Sequence, residues 1–132
     1  MNENLMRERE INNALKILGV SPHLKGFNYL KQAIALGLNN NELLHKLTGK
    51  NGMYVIIAQI FNTTPSRTER CIRNAIETSI FNLTEDVVYE IFGNTLRFDK
   101  FEKPTNSHYI ATVVNTIENE PEKFMKAGKR YE

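Results

Sequence analysis

The stretch MYVIIAQIFNTTPSRTERCIRNAIE (residues 53–77) runs from an almost wholly apolar segment, through a polar turn, into a segment with arginines at 67, 70 and 73. Each half predicts a helix. Thr64 can cap the second one, because its side-chain oxygen can accept an orphan amide of the first turn. Pro65 then falls at the first helical position, where its missing N–H costs nothing. The second helix is expected over residues 65–81. At about 100° per residue, Thr68, Cys71, Ile72, Ala75 and Ile76 share one arc of it. Ser66, Arg67, Arg70, Arg73, Asn74 and Glu77 share the other. The first helix carries the small Ala58 at the expected crossing point, and Asn62, Thr63 and Thr64 make the turn. Two helices joined this tightly, the second amphipathic, fit a helix-turn-helix over about residues 53–81, with Ile57, Phe61, Thr68 and Cys71 at its apolar positions.

The outer arc is rich in long hydrogen-bonding side chains. In a helix-turn-helix the second helix lies in the major groove, and a guanidinium fork can bond guanine O6 and N7 together. Glu69 can accept from a cytosine amine, or it can pair with Arg73 four residues on. Ser66 and the free amides of the first turn suit a phosphate. The same arc would also serve as an ordinary solvated helix face, so the pattern leaves both uses open.

Helical periodicity continues on either side. Residues 3–18 put Leu5, Ile11, Leu15 and Leu18 near one face, and Gly19 ends that helix. Residues 23–37 repeat the pattern with Leu24, Phe27, Leu30, Ala33, Ile34 and Gly37. Asn41 can cap a short helix through Leu47, and Gly49 and Gly52 bracket a turn. Thr84 caps a helix ending at Gly93. Residues 94–103, NTLRFDKFEK, alternate in the manner of an extended loop or short hairpin. Thr105, after Pro104, caps a helix to about Asn119. The charged tail, residues 120–132, is expected to fray. The expected fold is all-α, about six helices around the helix-turn-helix, in a single domain spanning residues 1–132.

Charge is local. Residues 45–75 hold Lys46, Lys50, Arg67, Arg70 and Arg73 against Glu69, a balance of +4 in a chain whose net charge is +2, which leaves −2 elsewhere. A basic patch on a near-neutral protein points to a polyanion partner. The start of the last helix, Lys103, Thr105, Asn106 and Ser107, reads either as a plain N-cap or as an anion seat contacting DNA backbone. His23 and Lys25 are weaker backbone candidates. The three histidines, 23, 45 and 108, lack ligand spacing, so no metal and no cofactor is expected. Nucleotide and hydrolase motifs are absent, which argues against an enzyme. Cys71, the single cysteine, lies on the apolar arc and reads as core. It excludes a disulfide framework and fits a reducing cytoplasm. The N-terminus has no signal-peptide pattern, and no apolar run is long enough for a bilayer.

Three stretches in register carry a family resemblance. NTTPSRTERCIRNAIE (62–77) resembles the recognition segment of the C-terminal effector domain of the stage-zero sporulation master regulator, a response regulator of endospore-forming bacteria. LGVSPHLKGFNYLKQAI (18–34) resembles that family's opening helix pair. FGNT (92–95) with KPTNSHYIATVV (103–114) resembles its closing loop and last helix. The resemblance spans about residues 10–119. It implies a six-helix domain reading a short promoter box, with Arg67, Glu69, Arg70 and Arg73 in the reading roles. It also implies a dimer on tandem sites, and an RNA polymerase sigma subunit facing residues 85–96. Thr68, Cys71 and Asn74 depart from the valine, alanine and histidine expected there, and EDVVYEIFGNTLRF (85–98) matches poorly outside Phe92 and Gly93. The family's receiver domain is expected to be missing, so its phosphorylation switch would not operate within this chain. A receiver-less repressor or competitor, or a helical protein-interaction adaptor that has lost DNA binding, would share these features.

Overall fold

A computed structural model describes residues 2–93 and 103–129. The described residues form seven α-helices: α1 (Asn2–Ile17), α2 (Lys25–Asn39), α3 (Met53–Ile60), α4 (Pro65–Asn82), α5 (Glu85–Phe92), α6 (Asn106–Asn119) and α7 (Glu122–Lys129), with a short 3₁₀ helix at Asn41–His45. No strand occurs among them, so the described part of the chain is all-α, as expected. The count exceeds the expected six because residues 122–129 form a helix rather than a frayed tail. Phe124 and Ala127, one turn apart, are buried, and α7 packs on α1 and α5. Two apolar contacts among many charges suffice to dock so short a helix.

Helix α2 is the centre of the body. It packs on α1, α3, α4, α6 and the 3₁₀ helix, and its Leu30, Ala33 and Ile34 are fully buried. Around them close Leu15 of α1 and Leu18 just after it, Ile57 of α3, Ile72 and Ile76 of α4, Val88 of α5, and Ile110 and Val114 of α6. Burying apolar surface of this kind is the main force holding such a domain together, at roughly 25 cal/mol per Å². The expected face of α1 is correct from Ile11 onward, but Leu5 remains 55% exposed. Periodicity identifies the apolar face of a helix without saying how far neighbouring elements reach along it.

The helix ends follow sequence chemistry. Gly19 ends α1 at φ 70°, and the Val20 N–H reaches back to the Leu15 carbonyl at 3.0 Å. That is the closing bond of a Schellman cap, and it requires a residue tolerant of positive φ. The cap of the 3₁₀ helix is Asn40, not Asn41: the Asn40 carboxamide accepts from the Glu42 N–H at 3.1 Å. Asn41 instead donates to the Gly37 carbonyl at 2.7 Å. Thr84 and Thr105 cap α5 and α6 as expected. Of the segment expected to be a loop or hairpin, 94–103, only Lys103 lies among the described residues.

One buried polar junction ties three helices together. The Ser79 hydroxyl donates to the Leu18 carbonyl at 2.6 Å and sits 2.7 Å from the Tyr109 hydroxyl. Since the single serine proton goes to Leu18, Tyr109 must be the donor to Ser79. The end of α1, the C-terminal part of α4 and the first turn of α6 are thereby fixed in one place.

Candidate nucleic-acid interface

The turn between α3 and α4 is built by the backbone. Asn62 adopts φ 52°, and the Thr63 N–H bonds the Ala58 carbonyl at 2.9 Å. This closes α3 with asparagine in the left-handed position that glycine more often fills. The Thr64 hydroxyl then accepts from the Arg67 N–H at 3.1 Å and Pro65 opens α4. Thr68, polar and fully buried, is satisfied by donating to the Thr64 carbonyl at 3.0 Å.

Helix α4 packs on α2, α3 and α6 through Thr68, Ile72, Ala75, Ile76 and Ser79. Ser66, Arg67, Arg70, Arg73 and Asn74 are exposed on its other face, which is the division expected from the wheel. Arg67 and Arg70 form no ion pair with any described residue. Arg73 does: its guanidinium lies 2.7 Å from the Glu69 carboxylate, the pairing that is one of the two expected uses of Glu69. A pair of this kind on a half-exposed face adds only a few tenths of a kcal/mol. Its larger effect is to restrict where the Arg73 side chain points.

The structure adds a neighbour that the wheel could not place. Leu24, Lys25 and Gly26, at the start of α2, share an open groove of about 480 Å³ with Arg67, Arg70, Cys71 and Asn74. Lys25 thus joins the arginine face from another helix, and the groove carries three cations and no acid. Cys71 is only half-buried there, so it is not the full core residue expected. Phe61, also expected in the core, is partly exposed but covers Tyr29, ring centroids 4.8 Å apart. His23 is exposed in the turn before α2.

The start of α6 divides among its expected phosphate contacts. Ser107 is exposed, and Thr105 acts as the N-cap, its hydroxyl accepting from the His108 N–H at 3.1 Å. The Lys103 amine lies 3.4 Å from the Glu77 carboxylate on α4. Asn106 is a correction: its side chain is turned inward and buried. Its amide donates to the Tyr54 hydroxyl at 3.0 Å and to the Glu69 carbonyl at 3.2 Å. Both of its N–H groups are committed within the protein, so the carboxamide is not a phosphate ligand. The sequence signal misled because an asparagine just after an N-cap normally faces water.

Burial pushes the Tyr54 phenol above its ordinary value, with the Asn106 hydrogen bond opposing. In the segment 85–96, Glu85, Asp86 and Tyr89 are exposed, while residues 94–96 lie outside the described part. Among the described residues, no three histidine, cysteine or acidic side chains gather to hold a metal ion. No helix among them is long and apolar enough to cross a membrane.

A cationic helix face entered by a tight turn, on a small all-α body, has the features of a nucleic-acid-binding regulatory domain. Residues 11–117 match the family model described as "Sporulation initiation factor Spo0A C terminal", and the chain belongs to that family. The match runs from the middle of α1 through most of α6. Helix α7 lies beyond it.

Proposed function

We propose that the protein is a sequence-specific transcription factor for duplex DNA, with α3 and α4 as its helix-turn-helix and α4 seated in the major groove. The observation that carries this reading is the exposed row of Arg67, Arg70, Arg73 and Asn74, in which Arg67 and Arg70 have no acidic partner among the described residues. Arg70 and Arg73 suit guanine, and Asn74 suits adenine, whose N6 and N7 match a carboxamide. Ser66 and the first-turn amides of α4 would take one phosphate, and Lys25, with His23 near it, a neighbouring one. Lys103, Thr105 and Ser107 are outlying backbone contacts. Promoter DNA is the partner, the molecules bind as a dimer on tandem sites, and the exposed side of α5 within residues 85–96 faces the sigma subunit of RNA polymerase.

A protein-interaction role has one observation of its own. Phe81, at the end of α4, is 88% exposed, and Tyr89 and Met125 stand out at 62% each. Large apolar groups left in water suit a protein partner where they adjoin in one patch. The deciding experiment is selection of bound sequences from a random duplex pool, with the winners titrated against salt. A short enriched motif, bound with affinity that falls steeply with salt, supports DNA reading. No enrichment and no salt-sensitive binding would leave the adaptor role standing.

A further inference from the structure

We infer that Asn106 is a positioning residue for the reading helix: with Tyr54 it forms a polar strut that sets how the α4 face is presented to DNA. The inference rests on the DNA-reading proposal above.

Three elements meet at the strut. Asn106 opens α6, Tyr54 lies in the first turn of α3, and Glu69 lies in the second turn of α4. The Asn106 amide holds the other two at 3.0 and 3.2 Å. A buried amide is costly unless its hydrogens are bonded, and here both are. Apolar packing would fill the same space but tolerates small rotations and slides. Two bonds from one planar group do not, because each weakens steeply as its angle opens.

The contact falls where presentation matters. Glu69 immediately precedes Arg70, and its carboxylate holds Arg73. A second tie from the same segment, Lys103 to Glu77, meets α4 two turns further on. The residues that face outward between these points are Arg70, Arg73 and Asn74. Residues 103–106 therefore bracket the reading segment of α4 from behind without touching DNA through the Asn106 side chain. Bidentate contacts to base edges depend on angle, whereas contacts to phosphate are forgiving, so loss of the strut will weaken discrimination before it weakens attraction.

The test compares Asn106→Ala and Tyr54→Phe with wild type. Each is measured below its melting temperature, with helicity verified by circular dichroism. The probes are the tightest duplex selected by the wild type and a scrambled duplex of equal length and composition. Asn106→Ala is expected to lower the affinity ratio between them about tenfold, with scrambled-duplex affinity and salt slope unchanged. Tyr54→Phe, which removes one acceptor and keeps the ring, should lower it less, by about threefold. It decides the matter if Asn106→Ala does not fold. An unchanged ratio in the folded variants would reduce the strut to a stability element and overturn the inference while DNA reading stands. A wild type that does not distinguish the two duplexes would overturn both.

Discussion

Gly26 of α2 rests directly against the Cys71 carbonyl of α4. A Cβ at position 26 would overlap that oxygen and stand 2.8 Å from the Ala75 Cβ. The missing side chain lets the central helix touch the backbone of the helix that carries the arginines, and it brings Lys25 into their groove. Gly26→Ala should therefore force two helices apart, because the obstacle is main chain and cannot rotate away. The expected loss is about 1–3 kcal/mol, the usual cost of overpacking a tight site. Urea unfolding measures it, and an unshifted midpoint would show that the two helices can separate without penalty.

Arg70→Ala and Arg73→Ala should each cost about 1–3 kcal/mol on a selected duplex and little on a scrambled one, since a base-reading fork adds only to the correct sequence. Lys103→Ala should behave differently, weakening both duplexes and lowering the salt slope by about one unit if its amine reaches a phosphate. Fluorescence anisotropy at several salt concentrations separates the two patterns. Equal losses on both duplexes for the arginine variants would make them backbone contacts.

The α3–α4 pair was legible in the sequence because its signals are local. Thr64, Pro65 and the spacing of Ile72, Ala75 and Ile76 fix the start and the buried face of α4 without reference to any other element. What escaped depends on tertiary distance. Lys25 is more than forty residues from Arg67, and only the contact of α2 with α4 places them on one groove. Asn106 sits in a motif that reads as a solvent-facing cap, and its inward turn is set by Tyr54 and Glu69, far away in the chain. Helix α7 was hidden by its charge. Phe124 and Ala127 alone make too short a pattern to stand out until α1 and α5 supply the surface they cover.

Alkaline pH should weaken the fold through its buried phenols. Burial pushes the Tyr109 hydroxyl well above the ordinary tyrosine range, and Tyr54 is raised in the same direction. In the unfolded chain both phenols release protons near pH ~10, while the native state still holds them. Above that point the unfolded state binds fewer protons, so stability is intact below about pH 10 and falls as pH rises toward the native values. Tyr109→Phe should lose about 1 kcal/mol near neutrality from the missing hydrogen bond, yet decline less steeply in alkali. Urea midpoints across about pH 8–11.5 test this, and parallel declines in variant and wild type would contradict it.

Helix α7 should open as a unit of its own. Its hold on the body is the burial of Phe124 at 4% exposure and Ala127 at 0% against α1 and α5. Removing a phenyl ring from a core site usually costs about 3–5 kcal/mol. Here the loss is capped by the free energy of undocking one terminal helix, since beyond that point the chain simply releases it. Phe124→Ala is therefore expected to strip amide-exchange protection from residues 122–129 while α2, α4 and α6 keep theirs. Because α7 lies outside the family match and α4 does not touch it in any major contact, affinity for the selected duplex should change by less than about twofold. Hydrogen-exchange mass spectrometry reads the first outcome and a binding titration the second. Protection lost equally from α4 would mean that α7 belongs to the same cooperative unit as the arginine helix, and that its docking stabilises the interface as well as the far side of the domain.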